Sequence, residues 1–177
     1  DAITWTPDGE RLFMALFREG RPVRDIAELT LKTGTFRWIT EGRIDNNAPD
    51  VSPDGHMLVY QTYGFQGTGW NIATLDLTSS EIIPIYEGAG NEGRPRWSPD
   101  GTQIVFEAQV ALSSSLMLID RINGDLQVIS RELDYAPAWS PDGTQISFVS
   151  SRDNNFDLYV MASDGSALHR LTWHGSA

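Results

Sequence analysis

The chain contains no cysteine, which excludes disulfides, thiolate chemistry and cysteine-ligated zinc. The redox compartment stays open, because many exported proteins also do without cysteine. Positive charge is scarce: 13 Lys and Arg stand against 24 Asp and Glu, a formal net charge of −11. Such a surface repels phosphate backbones and anionic membranes, so nucleic acid is not expected as a partner. No apolar run approaches the roughly 18 residues of a membrane helix, so no membrane insertion is expected. No secretory signal pattern is present either. Helical periodicity of useful length is missing. So is a Gly-x-Ser-x-Gly nucleophile elbow. The histidines, His56, His169 and His174, fall in a turn, an outer strand and the terminal segment. The chain is therefore read as having no catalytic constellation of its own and no cofactor.

What is abundant is turn chemistry. Sixteen glycines and nine prolines occur in 177 residues of which 40% are hydrophobic, a balance suited to a turn-rich all-β domain with a real core. One phrase recurs four times: Trp5-Thr-Pro7-Asp8-Gly9, Val51-Ser-Pro53-Asp54-Gly55, Trp97-Ser-Pro99-Asp100-Gly101 and Trp139-Ser-Pro141-Asp142-Gly143. Proline presets φ for the first central residue of a type I turn, aspartate suits the second, and glycine supplies the left-handed residue leading into the next strand. The intervals are 46, 46 and 42 residues. Recurrence at near-equal spacing marks an array of similar units.

Each unit divides into four β-like pieces. A short strand ends at the Trp or Val before the turn. An alternating strand follows it, as in Arg11–Phe17 or Gln145–Val149. A third strand follows a polar loop: Asp25–Leu31, Asn71–Leu77, Ser115–Ile119 and Asp157–Met161. A fourth, more polar strand follows another turn: Phe36–Thr40, Ile82–Tyr86, Leu126–Ser130 and Leu168–Thr172. The second and third strands are apolar on both faces, as expected of a sheet stacked between two others. Four short strands in 42–46 residues are the repeat of a β-propeller blade.

The phrase Pro137-Ala-Trp-Ser-Pro-Asp-Gly-Thr-Gln-Ile-Ser-Phe148, followed by Ser151-Arg-Asp153, Asp157-Leu-Tyr-Val-Met161, Asp164-Gly165 and Arg170-Leu-Thr172, resembles the TolB-type propeller repeat (PD40, or WD40-like). The resemblance covers essentially the whole chain. Blade one has Thr6 for the serine and blade two Val51 for the tryptophan. Blade three replaces Ser-Arg-Asp by Glu107-Ala-Gln-Val-Ala-Leu-Ser-Ser-Ser115. The expected organisation is a single propeller segment with blades at about 1–42, 43–88, 89–132 and 133–177. Propellers of this family usually have six or more blades, so the segment is read as part of a larger propeller, completed by further blades of the same gene or another copy of the chain. A closed four-blade ring is the alternative. The resemblance also implies an extracytoplasmic, periplasmic bacterial setting and protein partners.

Within the repeat, Pro-Asp-Gly turns and inter-blade connections leave opposite faces of a blade. The connection side collects the variable loops, and with them the residues expected to meet a protein or peptide: Tyr63, Phe65, Trp70, Arg94, Tyr135 and Arg152. Aromatic and arginine side chains are the usual anchors of protein interfaces. The competing reading folds Tyr63, Phe65 and Trp70 back over blade two, where Val51 leaves space. Asp153-Asn-Asn-Phe-Asp157 offers oxygen ligands of the type calcium takes, but lacks the length, glycine and final glutamate of an EF-hand loop. Asp153 and Asp157 are therefore only a weak metal candidate, and no metal is expected. The functional expectation is a non-enzymatic interaction scaffold. The alternatives are a non-catalytic gating propeller of a prolyl-oligopeptidase-type serine peptidase or other multidomain enzyme, and a ligand-sensing propeller.

Overall fold

The computed structural model describes residues 2–64, 69–88, 90–110 and 113–173. Among them all regular structure is β, in four antiparallel four-stranded sheets. The first sheet runs in order β1 (Ile3–Trp5), β2 (Arg11–Phe17), β3 (Arg24–Thr30), β4 (Thr35–Trp38). The second is β5 (Asn46–Val51), β6 (Met57–Tyr63), β7 (Trp70–Asp76), β8 (Ile82–Tyr86). The third is β9 (Asn91–Trp97), β10 (Gln103–Val110), β11 (Ser113–Asp120), β12 (Leu126–Ser130). The fourth is β13 (Asp134–Trp139), β14 (Gln145–Ser150), β15 (Asp157–Ala162), β16 (His169–Arg170). Each sheet takes its strands in chain order, the meander of a propeller blade.

The four Pro-Asp-Gly turns are built alike. The amide of Gly9, Gly55, Gly101 or Gly143 donates to the carbonyl of the Ser or Thr three residues earlier, at 2.8–2.9 Å. Each of these glycines has φ between +71° and +75°, where a Cβ is penalised. The Ser or Thr hydroxyl donates to the turn aspartate and accepts the amide that opens the next strand. For Ser140 the distances are 2.6 Å to Asp142 and 2.9 Å from Gln145. Thr6 does the same work in the first turn, at 2.5 Å to Asp8 and 3.0 Å from Arg11. Donors from Ser140, then from Thr144, pull the Asp142 carboxyl down to about 2.

The chain forms two compact units, residues 1–95 and 96–177. In the first, Phe13 and Ile26 pack with Val51, Leu58, Tyr60, Ala73 and Leu75. In the second, Val105, Leu116 and Leu118 pack with Ile146, Phe148, Tyr159 and Met161. Both cores thus join two sheets through the apolar faces of their middle strands. Each fully buried large side chain contributes about 1.5–3 kcal/mol of burial free energy. Trp139 straps its sheet to the third, donating from Nε1 to the Arg96 carbonyl at 3.2 Å. Trp5, its counterpart in the first repeat, is 59% exposed.

The first strands of blades two to four are longer than the sequence pattern predicts, because each carries an irregularity at a proline. The register slips between Asn47 and Asp50 and between Tyr135 and Ala138. The residue before the proline, Ala48, Arg94 or Ala136, has φ of 47°, 47° or 52°. These are β-bulges, which break the alternation that marks a strand in sequence. The loops expected at 63–70 and 107–115 are likewise shorter. Tyr63 and Trp70 face each other as the last pair of a hairpin, and Glu107 to Val110 belong to β10.

Candidate functional site

Two neighbouring hairpins of the first unit end in aromatic and arginine side chains. Phe17 pairs with Arg24 at the tip of β2–β3, and Tyr63 pairs with Trp70 at the tip of β6–β7. These are the same positions of successive repeats. The Arg24 guanidinium lies 5.8 Å from the Phe17 ring centre and 5.7 Å from that of Trp70. Tyr63 meets Trp70 edge to face at 5.4 Å. Asp45, in the connection between the sheets, holds Arg24 through Nε and Nη2, each at 2.9 Å, and accepts its backbone amide. The Asp45 bond raises Arg24 above its ordinary value. Burial alone would raise the Asp45 carboxyl, but the Arg24 side chain and backbone donors together hold it below the usual carboxylate range.

This cluster has an exposed apolar surface with a fixed cation inside it. Phe17 is 63% exposed and Tyr63 48%. A guanidinium over an exposed ring is worth about 0.5–1 kcal/mol, and here its position is set by Asp45. The arrangement suits flat contact with another molecule and contains no acid–base pair poised for chemistry. Trp70 is half-buried, so it belongs partly to the packing and partly to the surface. Phe65 and His174 lie outside the described residues. A mostly apolar cleft of about 380 Å³ lies elsewhere in this unit, lined by Ile39, Tyr60, Leu75 and Ile82 with Thr40 and Arg43 at its polar part.

The other expected contacts separate into two groups. Arg94 is exposed at its bulge, and Tyr135 is half-buried with its ring 6.2 Å from Phe156, itself 67% exposed. Arg152 is turned inward. Its side chain is only 15% exposed, and Nη2 lies 2.9 and 3.0 Å from the two oxygens of the fully buried Asp134. Nε donates to Ser150 at 2.9 Å, and the guanidinium rests 4.8 Å from the Tyr159 ring. A buried carboxylate demands a cation, and Arg152 supplies it internally rather than offering itself to a partner.

Asp153 and Asp157 face a cation that the protein provides. Arg170 donates from Nη1 to Asp153 at 3.0 Å and from Nη2 to Asp157 at 2.5 Å. Tyr159 donates its hydroxyl to Asp153, and Thr172 donates to Asp157 at 2.9 Å. Asp25, buried at the matching position of the first sheet, repeats the device with Thr40 at 2.7 Å and Arg18 at 3.1 Å. Asp25 and Asp157, both in third strands, are each tied to a threonine just beyond the fourth strand. No group of three acidic or histidine side chains among the described residues is placed to hold a metal ion.

One residue escaped the sequence reading. Glu92, in β9, is 1% exposed, and neither carboxylate oxygen has a hydrogen-bond donor among the described residues. Its signal was the comparison of repeats: Asn46, Glu92 and Asp134 occupy one position.

The model of the TolB β-propeller domain (PD40) matches residues 48–177. The chain belongs to the TolB β-propeller family. TolB from Acinetobacter baumannii is similar in structure with a TM-score of 0.80 and 22% identity, over 93% of this chain and 41% of that one. A putative TolB from Agrobacterium tumefaciens gives a TM-score of 0.85 and 22% identity, over 96% of this chain and 63% of that one. An oligogalacturonate lyase from Vibrio parahaemolyticus gives 0.71 and 20%, over 97% and 52%. No match is found among curated proteins. At such identities the likeness establishes the TolB-like fold, which serves both TolB and an enzyme. The chain spans about two fifths and three fifths of the two TolB chains.

Proposed function

We propose that this TolB-like propeller segment is a non-enzymatic interaction module that holds a protein or peptide partner in the bacterial envelope. The reading rests on the cluster of Phe17, Arg24, Tyr63 and Trp70, which presents aromatic surface around an arginine immobilised by Asp45. Interfaces draw their binding energy from such residues, and preorganisation lowers the ordering cost on association. Arg94 and Tyr135 are further contacts on this reading. Phe65 belongs to it through its neighbours in sequence. The 59% exposure of Trp5 supports a larger propeller, since Trp139 at the same repeat position is strapped to a preceding sheet. The role of gating propeller in a serine peptidase would use the same fold and needs a hydrolase segment that these residues do not contain.

The test is capture by the immobilised chain, paired with thermal melting. Trp70→Ala leaves the melting temperature within a few degrees of wild type and weakens partner capture at least tenfold. A photo-crosslinker at Tyr63 yields an adduct in the envelope, and one at His56, in a Pro-Asp-Gly turn, does not. Capture that survives Trp70→Ala while the melting temperature collapses refutes the reading.

A further inference from the structure

The cleft of about 380 Å³ in the first unit opens where two sheets part. Phe13 and Ile26 of the first sheet pack with Leu58, Tyr60 and Leu75 of the second. Ile82 pairs with Leu75 across β7–β8 and continues that face outward, yet it is 40% exposed. Residues between Ile39 and Asn46, just past β4, supply the opposite wall.

Two departures of blade two from its sister repeats converge on this cleft. The position that carries Phe106 and Phe148 in blades three and four carries Tyr60 in blade two. All three side chains are buried, Tyr60 at 1% exposure, so blade two has added a hydroxyl to a core position. A buried phenol normally finds a partner. This one has no hydrogen bond among the described residues. Burial alone lifts the phenol to about 12, so it stays neutral and able both to donate and to accept. The second departure is Ser80. The turn between third and fourth strands has glycine at its left-handed residue in blades one and three, where Gly34 and Gly124 donate to the carbonyl four residues earlier. Ser80 makes the same bond at a φ of 63°, a conformation that penalises a side chain. Tyr60 and Ser80 both line the cleft.

The lining sets the chemistry of an occupant. Ile39, Ile44, Leu75 and Ile82 offer aliphatic walls. The open polar groups at the buried end carry no charge: they are the Tyr60 hydroxyl and the carboxamide of Asn46, which is 3% exposed. Asn46 donates to the Ile44 carbonyl at 3.0 Å, and its oxygen accepts no bond among the described residues. The Thr40 hydroxyl is already committed to Asp25 and the Ile26 amide. The charged lining residues, Glu41 and Arg43, are exposed and lie 3.6 Å from each other. A charged head group would therefore be desolvated without a counterion at the buried end. The net charge of −11 disfavours an anion further. An apolar cavity of about 150 Å³ holds one benzene, so this cleft suits a body of about two rings.

We infer that the cleft binds a small uncharged amphiphile of about two rings, which lays its apolar body between the first two sheets and hydrogen-bonds Tyr60 and Asn46 through a hydroxyl head. The site is separate from the cluster of Phe17, Arg24, Tyr63 and Trp70 and does not rest on the protein-binding reading above.

The experiment uses 2-naphthol as probe on the whole chain, followed by NMR of labelled isoleucine and leucine methyls. The methyls of Ile39, Ile44, Leu75 and Ile82 shift saturably, while that of Ile146, in the second core, stays in place. 2-Naphthoate, the same rings with a carboxylate head, binds about tenfold more weakly or worse. Tyr60→Phe lowers the affinity for 2-naphthol about fivefold, the worth of one hydrogen bond, without lowering the melting temperature. The inference is overturned by cleft methyls that do not saturate up to the solubility of the probe, or by shifts that centre on Tyr63 and Trp70 instead. Equal binding of 2-naphthoate, or an affinity unchanged in Tyr60→Phe, overturns it as well. The wild-type titration needs no variant and no partner, so its failure is distinguishable from a failure of Trp70→Ala to affect capture.

Discussion

Arg152→Ala removes the guanidinium that meets Asp134 and leaves a carboxylate of zero side-chain exposure behind. Breaking a buried ion pair from one side costs about 3–5 kcal/mol, because the remaining charge stays desolvated. The lost contacts with the Phe148 and Tyr159 rings, at 5.4 and 4.8 Å, add about 1 kcal/mol. Against a domain stability of about 5–15 kcal/mol this is a large fraction. Blade two indicates the remedy. Its Asn46 is buried at the same position with no arginine opposite it. Asp134→Asn combined with Arg152→Met is therefore expected to recover at least half of the loss. Urea unfolding followed by tryptophan fluorescence measures both, with the m-value reporting whether the unfolding surface is unchanged. A single variant that loses under about 1 kcal/mol, or a double variant no better than the single, would refute the claim that Arg152 serves burial of Asp134.

Further outcomes follow from single positions. Gly143→Ala costs about 1 kcal/mol, since φ is +71° and the nearest atom, Pro99 Cδ, stays at an ordinary 3.6 Å. Gly165→Ala costs more, about 2 kcal/mol or above, because φ is +86° and a Cβ would lie 2.9 Å from the Ile129 carbonyl oxygen; thermal melts rank the two. Glu92→Gln changes the pH dependence of stability. A carboxyl raised from 4.5 to about 7 keeps its proton in the folded state, so wild-type stability falls as pH rises through that window and levels off above it. The variant loses this slope and gains up to about 3 kcal/mol at pH 8, read from unfolding curves at pH 4.5 and 8.

The blades were legible because their punctuation is local. Ser140, Asp142 and Gly143 act on one another and on residues at most five positions away, so the pattern survives in sequence. Middle strands such as Met57–Tyr63 were visible through their apolar runs. The first strands were underestimated, since the bulges at Ala48, Arg94 and Ala136 put proline and left-handed residues where a regular strand has neither. Tyr63 and Trp70 stood out in the sequence as aromatics beside glycine. Their link to Arg24 and Asp45 did not, because it joins hairpins from different repeats. The inward turn of Arg152 was hidden for a related reason. A guanidinium in a loop reads alike whether it faces solvent or a carboxylate 18 residues back in the chain.

The self-contained turns carry a consequence for how such a chain is inherited and rebuilt. Each closes its own hydrogen bonds inside a few residues, so duplicating or exchanging a repeat at Ser-Pro-Asp-Gly carries the turn's own partners along. Recombination there leaves the turn itself whole, whereas any crossover between Arg24 and Asp45, or between Asp134 and Arg152, separates a charge from its counterion. A chimera joined at Ser98 keeps the turn at its junction intact, while one joined at Ser140 must carry Asp134 and Arg152 over from the same parent.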